Sequence, residues 1–404
     1  MIFPKNYSLL LLCSLMFACS STPPLGDPEM PYPPPHEPAV GDILHIPTGI
    51  FVTQEQMLAA VTDAKIVYVG ETHDNPASHR LEAMLLKALA ERYPEQVALG
   101  MEMMTPEQQP VLDRWVAGEL SEKELLEQSR WYDIWRMDFD YYKELFQLCR
   151  DKKIPIIGLN ATKAQVKAVA SNDFSKLDEE QRKQIPTLDM ADPYQRAMVK
   201  TVFGGHNHGG GDKERFLRVQ TLWDEMMAAN VARYLTTPQG SGRHMLVIAG
   251  GHHVSYGFGI PRRVFRRLPV SYVLVGNEDI EYSGGKKEKV MDVTLPNMPM
   301  PALDYVLYTK YEKLDKQQVR LGVLLDESDN GVEIKAILPS SAAARAGLQK
   351  GDILRAIDGE TVTKSFDVIY VIKQKQPGDE VNLLIEREGK NEQLKVHFDK
   401  KNSK

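Results

Sequence analysis

The sequence predicts an α/β protein: a mainly parallel sheet covered by helices, followed by a small β-rich domain at the C-terminal end. Three observations carry this expectation. From Ile50 to about Asn277, short apolar, β-branched runs alternate with longer helical patterns, the rhythm of parallel strands joined by crossover helices. After a proline-rich stretch, PNMPMPALDYV, strand-like runs surround a Gly-rich turn and a short alanine helix in GVEIKAILPSSAAARAGLQKGDILRAIDGETV. The chain has 404 residues, 43% hydrophobic and 26% charged, which suffices for two cores and excludes a disordered or fibrous protein.

The strands expected in the first unit are Lys65–Val69, Gln96–Met101, Ile154–Leu159, His244–Ala249 and Val270–Val275. Between the first two lies ASHRLEAMLLKALAERY, an amphipathic helix with Pro76 placed near its start, where a missing N–H costs nothing. WRMDFDYYKELFQLCRDKK leads as a helix into the third strand. The strongest helix runs from Asp212 to Leu235, with Phe216, Val219, Leu222, Met226 and Met227 at helical spacing, a pattern for a core face. The expected division is 1–18 leader, 19–40 tether, 41–280 α/β domain, 281–316 connector and 317–400 β-rich domain.

The N-terminus reads as a targeting segment. Lys5 supplies a positive start, Leu9 to Phe17 an apolar run of about nine residues, and Ala18-Cys19 a cleavage point. This pattern resembles a bacterial lipoprotein signal, which implies lipid on Cys19 and a membrane anchor; Ser20 after it points to the outer membrane, facing the periplasm. Ser20 to Pro38 is rich in Ser, Thr and Pro, so an extended tether is expected. Cys13 leaves with the leader, so Cys149 stands alone in the mature chain, on a helical pattern that favours a packed thiol over a nucleophile. With 49 Lys and Arg against 55 Asp and Glu, no global basic field points to nucleic acid. No apolar run approaches the roughly 20 residues of a spanning helix.

The chemistry gathers after the strands. In open parallel sheets ligands bind beyond the carboxyl ends, where loops converge. The first strand ends in Gly70-Glu71-Thr72-His73-Asp74, the second in Glu102, the third in Asn160, and the fourth in Gly250-Gly251-His252-His253. Two of these share a G-x-x-H form. Glu71, His73, Glu102 and His253 are therefore candidate catalytic, metal-binding or cofactor-binding residues, since two carboxylates and two imidazoles on one sheet edge suit a metal, haem or proton-transfer site. His252 is expected to support its neighbour, Asp74 or Asn75 to cap the following helix, and His79, one turn in, is open between site and structure.

VYVGETHDNPASH, ALGMEMM, FLRVQTLWDEMMAANVARYL and VIAGGHHVSYGFGIPRR together resemble the ChaN-type haem-binding lipoproteins, relatives of the Tiki proteases and erythromycin esterases, over about Gly41 to Asn277. The resemblance implies an exported, lipid-anchored protein of haem or iron uptake. It also implies a homodimer holding two haems face to face, their iron held by a tyrosine with histidine assisting. The family's H-V-x-x-x-x-G-[IV]-P stretch falls on His253, Val254, Gly259, Ile260 and Pro261, which puts Phe258 where a tyrosine is expected. Tyr256, two residues earlier, becomes the expected iron ligand, with His253, His73 and Glu71 around the haem. The wider superfamily implies an alternative: a divalent metal ion on Glu71, His73 and His253 in a metal-dependent hydrolase or peptidase.

Two further features stand beside this constellation. GGHNHGGGD places His206 and His208 in a glycine loop able to close over a ligand or capture a metal. Arg262, Arg263, Arg266 and Arg267 form a basic patch with an affinity for propionates or other anions, or a solvated helix face. The C-terminal unit resembles an HtrA-type PDZ domain over about Gln318 to Phe398, on the strength of SSAAARAGLQKGDILRAIDG. That likeness places a carboxylate-binding loop at Arg320-Leu321-Gly322-Val323, with Leu321, Gly322 and Val323 binding a peptide or protein C-terminus beside a helix near Ser365 to Lys375.

Overall fold

The computed structural model describes residues 26–205, 212–282, 298–314 and 318–399. The leader with Cys19, the loop carrying His206 and His208, and part of the connector lie outside the described residues.

The first unit is built on one eight-stranded sheet: β1 (Ile43–His45), β2 (Ile50–Val52), β3 (Ile66–Glu71), β4 (Val97–Met101), β5 (Ile156–Gly158), β6 (His244–Gly250), β7 (Tyr272–Tyr282) and β8 (Tyr305–Tyr311). The order is β2-β1-β8-β7-β3-β6-β4-β5. The run from β8 to β5 is parallel, and β1 and β2 add antiparallel at one edge. Strand side chains alternate between faces. Val67, Val69, Leu246 and Ile248 pack towards helices Pro76–Arg92 and Lys143–Lys152. Ile66, Tyr68, Met245 and Val247 pack on the other face against helix Lys213–Thr236. The helix starts are capped as expected: Asn75 Oδ1 accepts from the amide of Ala77 at 3.1 Å, with Pro76 at the first position. Asp212 does the same for the amides of Glu214 and Arg215.

Two sequence expectations are corrected. The interval 281–316 is not only a connector, because β8 lies within it and hydrogen-bonds between β1 and β7. The proline cluster before it reads as a boundary, while YVLYTKY gains its strand partners only from distant parts of the chain. The described part of the tether, from residue 26 to 40, is docked and not free. Met30 packs on the cluster of Leu44, Ile46, Val306 and Tyr308, and His36 stacks on Phe51 with centroids 4.4 Å apart.

The arginine patch is also committed internally. Helix Ile260–Arg267 sends Arg263, 1% exposed, to Glu225 at 3.0 Å, while Arg266 and Arg267 reach the same carboxylate at 2.8 and 2.5 Å. Arg262 pairs with Asp192.

The second unit is an antiparallel sheet of β9 (Val323–Ser328), β10 (Gly331–Ile337), β11 (Ile353–Ile357), β12 (Glu360–Thr361), β13 (Glu380–Arg387) and β14 (Lys390–His397), ordered β14-β13-β11-β10-β9 with β12 on β11. Its own core joins Val332, Ile334, Leu354, Val368, Ile372, Val381 and Val396. It rests on the α/β unit through Phe366 stacked on Tyr132, an ion pair of Lys364 with Glu127, and Gln318 donating to Asp138 at 2.9 Å.

Candidate functional site

The sheet register brings the predicted residues to one edge. Glu71, the last residue of β3, lies opposite Gly250, the last of β6, and Glu102 follows β4 on the other side of β6. At Gly250 a Cβ would sit 3.1 Å from His73 Nε2, so the bare backbone leaves room for that ring. His73 therefore folds back over the strand end.

The contacts form two linked groups. Glu71 Oε1 pairs with His73 Nδ1 and accepts the hydroxyl of Tyr142 at 2.8 Å. The ring of His73 meets Trp135 edge-on at 4.9 Å, and its side chain, 33% exposed, opens to solvent. On the far side, Glu102 Oε2 accepts the Gly250 amide at 2.7 Å and its other oxygen lies 3.6 Å from His253 Nε2. His253 Nδ1 is 2.6 Å from Asp224 Oδ1, which fixes the ring. The four predicted residues are thus brought together as a run of alternating carboxylates and imidazoles. His252 supports the edge through Gln220 at 3.2 Å.

Burial opposes charge at Glu71, His73 and His253, so their ionisation depends on their partners. Burial alone raises Glu71, yet the imidazoles of His73 and His79 bring it down to about 2. Burial likewise disfavours the His73 cation, but the Glu71 carboxylate and its hydrogen bond raise it to about 9. His253 is raised above 6.5 because Glu102 and Asp224 outweigh its burial.

The sign of the pH dependence follows. Histidines with raised values stabilise the fold fully below their ordinary 6.5, and that contribution drains away as pH rises, through about 9 for His73. Glu71 stabilises above its ordinary 4.5 and loses its contribution only as pH falls through about 2. Thermal melts are expected to show a midpoint that declines from about pH 6 to about pH 10, with a shallower slope in Asp224→Asn. A midpoint that climbs with pH across that span contradicts the assignment.

Beneath Glu71 sits a third imidazole. His79 Nε2 donates to the His73 carbonyl at 3.1 Å, while its Nδ1 lies 3.0 Å from Glu82 Oε2 and 3.5 Å from Glu71 Oε2. Burial lowers His79, and burial together with the Glu71 charge pushes the Glu82 carboxyl well up. Tyr142, Glu82, Asp224 and Trp135 escape a reading of the sequence. The available signals were Glu82 three residues after His79 on one helix face, and Asp224 beside Glu225 in the core-facing part of helix Lys213–Thr236.

Tyr256 is placed elsewhere. Its side chain stacks on Phe258 at 5.5 Å in a cluster with Met198 and Met298, and its hydroxyl donates to Glu29 Oε2 at 2.7 Å. Burial and the Glu29 carboxylate raise its phenol above the ordinary 10. The residue is held at φ +58°, a left-handed conformation that tyrosine seldom takes, with its amide donating to the Ala302 carbonyl at 2.8 Å.

In the C-terminal unit, Leu321 and Gly322 lead directly into β9. Gly322 has φ +82°, and its carbonyl accepts the Leu338 amide at 2.9 Å. β9 is an end strand, paired with β10 on one side, and helix Ser365–Lys373 packs against it.

A family model described as haem-binding uptake, Tiki superfamily, ChaN matches residues 57–264, half of the chain. The chain belongs to the ChaN family. The structure described as cofacial haem binding to ChaN of Campylobacter jejuni is similar to this chain at 18% identity and a TM-score of 0.50. It covers 67% of this chain and 96% of its own, and the likeness is one of fold. A PDZ model matches residues 319–398. Probable periplasmic serine endoproteases described as DegP-like, from Marinomonas sp. (strain MWYL1) and Pseudomonas fulva (strain 12-X), are 35% identical over 72 residues and 36% over 70. These are 18% and 17% of this chain, which spans only 15% of the length of either relative. The ChaN match covers β3 to β6 and every residue of the strand-end run, so that run lies in the ChaN-family part of the chain.

Proposed function

We propose that this protein binds haem through its ChaN-family domain at the bacterial envelope, and holds peptide or protein C-termini in its PDZ domain. The observation that carries the reading is the ChaN family match across residues 57–264, which spans the strand-end run and Tyr256 alike. Haem supplies an iron centre that takes an axial donor. Tyr256 would supply that donor: iron at the phenol oxygen would replace the Glu29 contact that now holds its proton, and a hard anionic oxygen favours ferric iron. Tyr194, 44% exposed and stacked on the buried Phe258 at 5.1 Å, offers aromatic surface for a porphyrin. The lipid expected on Cys19 would keep the chain at the membrane.

Haem titration followed by visible absorption tests this. A ferric high-spin, tyrosinate-type spectrum is expected, with Tyr256→Phe weakening binding roughly tenfold or more, about 1.4 kcal/mol. Glu71→Gln is expected to change it less. Fractionated cells should hold the wild type in membranes and Cys19→Ala in the soluble phase. Absence of haem binding removes the reading.

One observation favours a second reading, metal-dependent hydrolysis of substrates presented by the PDZ domain. The run from Glu71 through His73 and Glu102 to His253 and Asp224 pairs proton donors with acceptors at one sheet edge, where His73 meets solvent. A peptidase activity lost in both Glu102→Gln and His253→Gln, in protein that takes up no haem, would establish it instead.

A further inference from the structure

His79 Nε2 faces a backbone carbonyl, which can only accept, so that nitrogen carries a proton. With its proton on Nε2 the neutral ring keeps a lone pair on Nδ1, which lies 3.0 Å from Glu82 Oε2 and 3.5 Å from Glu71 Oε2. That lone pair points between two carboxylates. Glu71 Oε2 and Glu82 Oε1 are buried and, among the described residues, have no hydrogen-bond partner. Among the described residues no lysine or arginine is paired with Glu82. Two carboxylates and an imidazole nitrogen therefore converge on a closed space, an arrangement that calls for a proton or a cation between them.

The dimensions match a cation. One donor atom from each of Glu71, His79 and Glu82 lies within 4.8 Å of the others, and the two separations from Nδ1 are 3.5 and 3.0 Å. Donors placed tetrahedrally around a metal at ~2.0–2.1 Å stand about 3.4 Å apart. A ring whose other N–H is held by a main-chain carbonyl is the usual support of a metal-binding histidine. The side chains of Glu71 and Glu82 are fully buried and that of His79 is 6% exposed, which marks a closed, structural site.

We propose that Glu71, His79 and Glu82 hold one divalent first-row transition-metal ion beneath the strand-end edge. The mixed nitrogen and oxygen donors suit Zn²⁺ or Mn²⁺, and a dication balances the two carboxylates. Bound there, the ion fixes Glu71 from below while Tyr142 and His73 hold its other oxygen. This site goes beyond the haem reading and does not depend on it.

The test uses the full mature chain, stripped with chelator, equilibrated with Zn²⁺ or Mn²⁺ alone, freed of excess and assayed for metal by mass spectrometry. About one ion per chain is expected in the wild type and in the surface control Glu55→Gln, and at least about tenfold less in His79→Ala and Glu82→Gln. Glu82→Gln keeps the side-chain shape, and an unchanged far-ultraviolet circular dichroism spectrum verifies its fold. Added Zn²⁺ should raise the melting midpoint of the wild type and leave that of Glu82→Gln unmoved. Metal retained by Glu82→Gln overturns the assignment. So does a metal-free wild type showing a protonated-carboxyl infrared band that Glu82→Gln removes, since a proton then fills the space. Haem titration of the metal-free wild type, run separately, keeps a failure of this site distinct from a failure of haem binding.

Discussion

Glu225→Ala is expected to lower the melting midpoint of the α/β domain by about 10 °C. Glu225 is fully buried and receives three arginines, of which Arg263 is itself 1% exposed. Removing the carboxylate leaves Arg263 charged and out of water, and breaking such a buried pair costs about 3–5 kcal/mol. For a domain of roughly 150–250 residues, each kcal/mol moves the midpoint by about 2–4 °C. The consequence reaches the site, because Arg263 also donates to the carbonyls of Phe258 and Gly259, which follow Tyr256 in the chain. Circular dichroism melts of Glu225→Ala, and of a double variant with Arg263→Met, separate the two terms. The double variant should regain part of the loss, because it leaves no buried arginine without its acid. A midpoint change of only a degree or two would mean that Arg266 and Arg267 hold the helix from outside.

Gly322→Val is expected to abolish binding of free peptide C-termini while the α/β domain stays folded. At φ +82° a β-branched residue is strained, and a Cβ at this position would lie 2.3 Å from Ser341 Cβ, too close for any rotamer to relieve. The loop must shift, and with it the amides around Leu321, Gly322 and Val323 that would meet a carboxylate. Charged acceptors gain most from such donors, so the wild type should favour a free carboxyl terminus over its amide by about tenfold. Fluorescence anisotropy with paired acid and amide peptides reads both effects. Equal affinity for the two peptides would show that the open edge of β9 binds chains without reading their ends.

Much of this architecture was legible in the sequence, for local reasons. The five β-branched runs became strands β3 to β7 because an apolar segment of five or six residues between turn signals has few other places to go. Asn75-Pro76 and Asp212 started helices because the capping chemistry is contained in neighbouring residues. Glu71, His73, Glu102 and His253 met at one edge because residues that follow parallel strands share that edge whatever the strand order.

The sequence by itself determined the two-part build and the residues of the strand-end run, because periodicity, caps and strand exits are written within a few residues of one another. Only the tertiary structure decided what each side chain faces. It set Tyr256 on Glu29, 227 positions away, and drew the arginines inward onto Glu225. It inserted β8 between β1 and β7, and turned His79 and Glu82 towards Glu71 beneath the edge. Each of these depends on a partner distant in the chain or on the direction a buried side chain takes, and hydrophobic period carries no record of either. Burial then converts those placements into chemistry, since a carboxylate or imidazole removed from water takes its charge from whatever group the fold sets beside it.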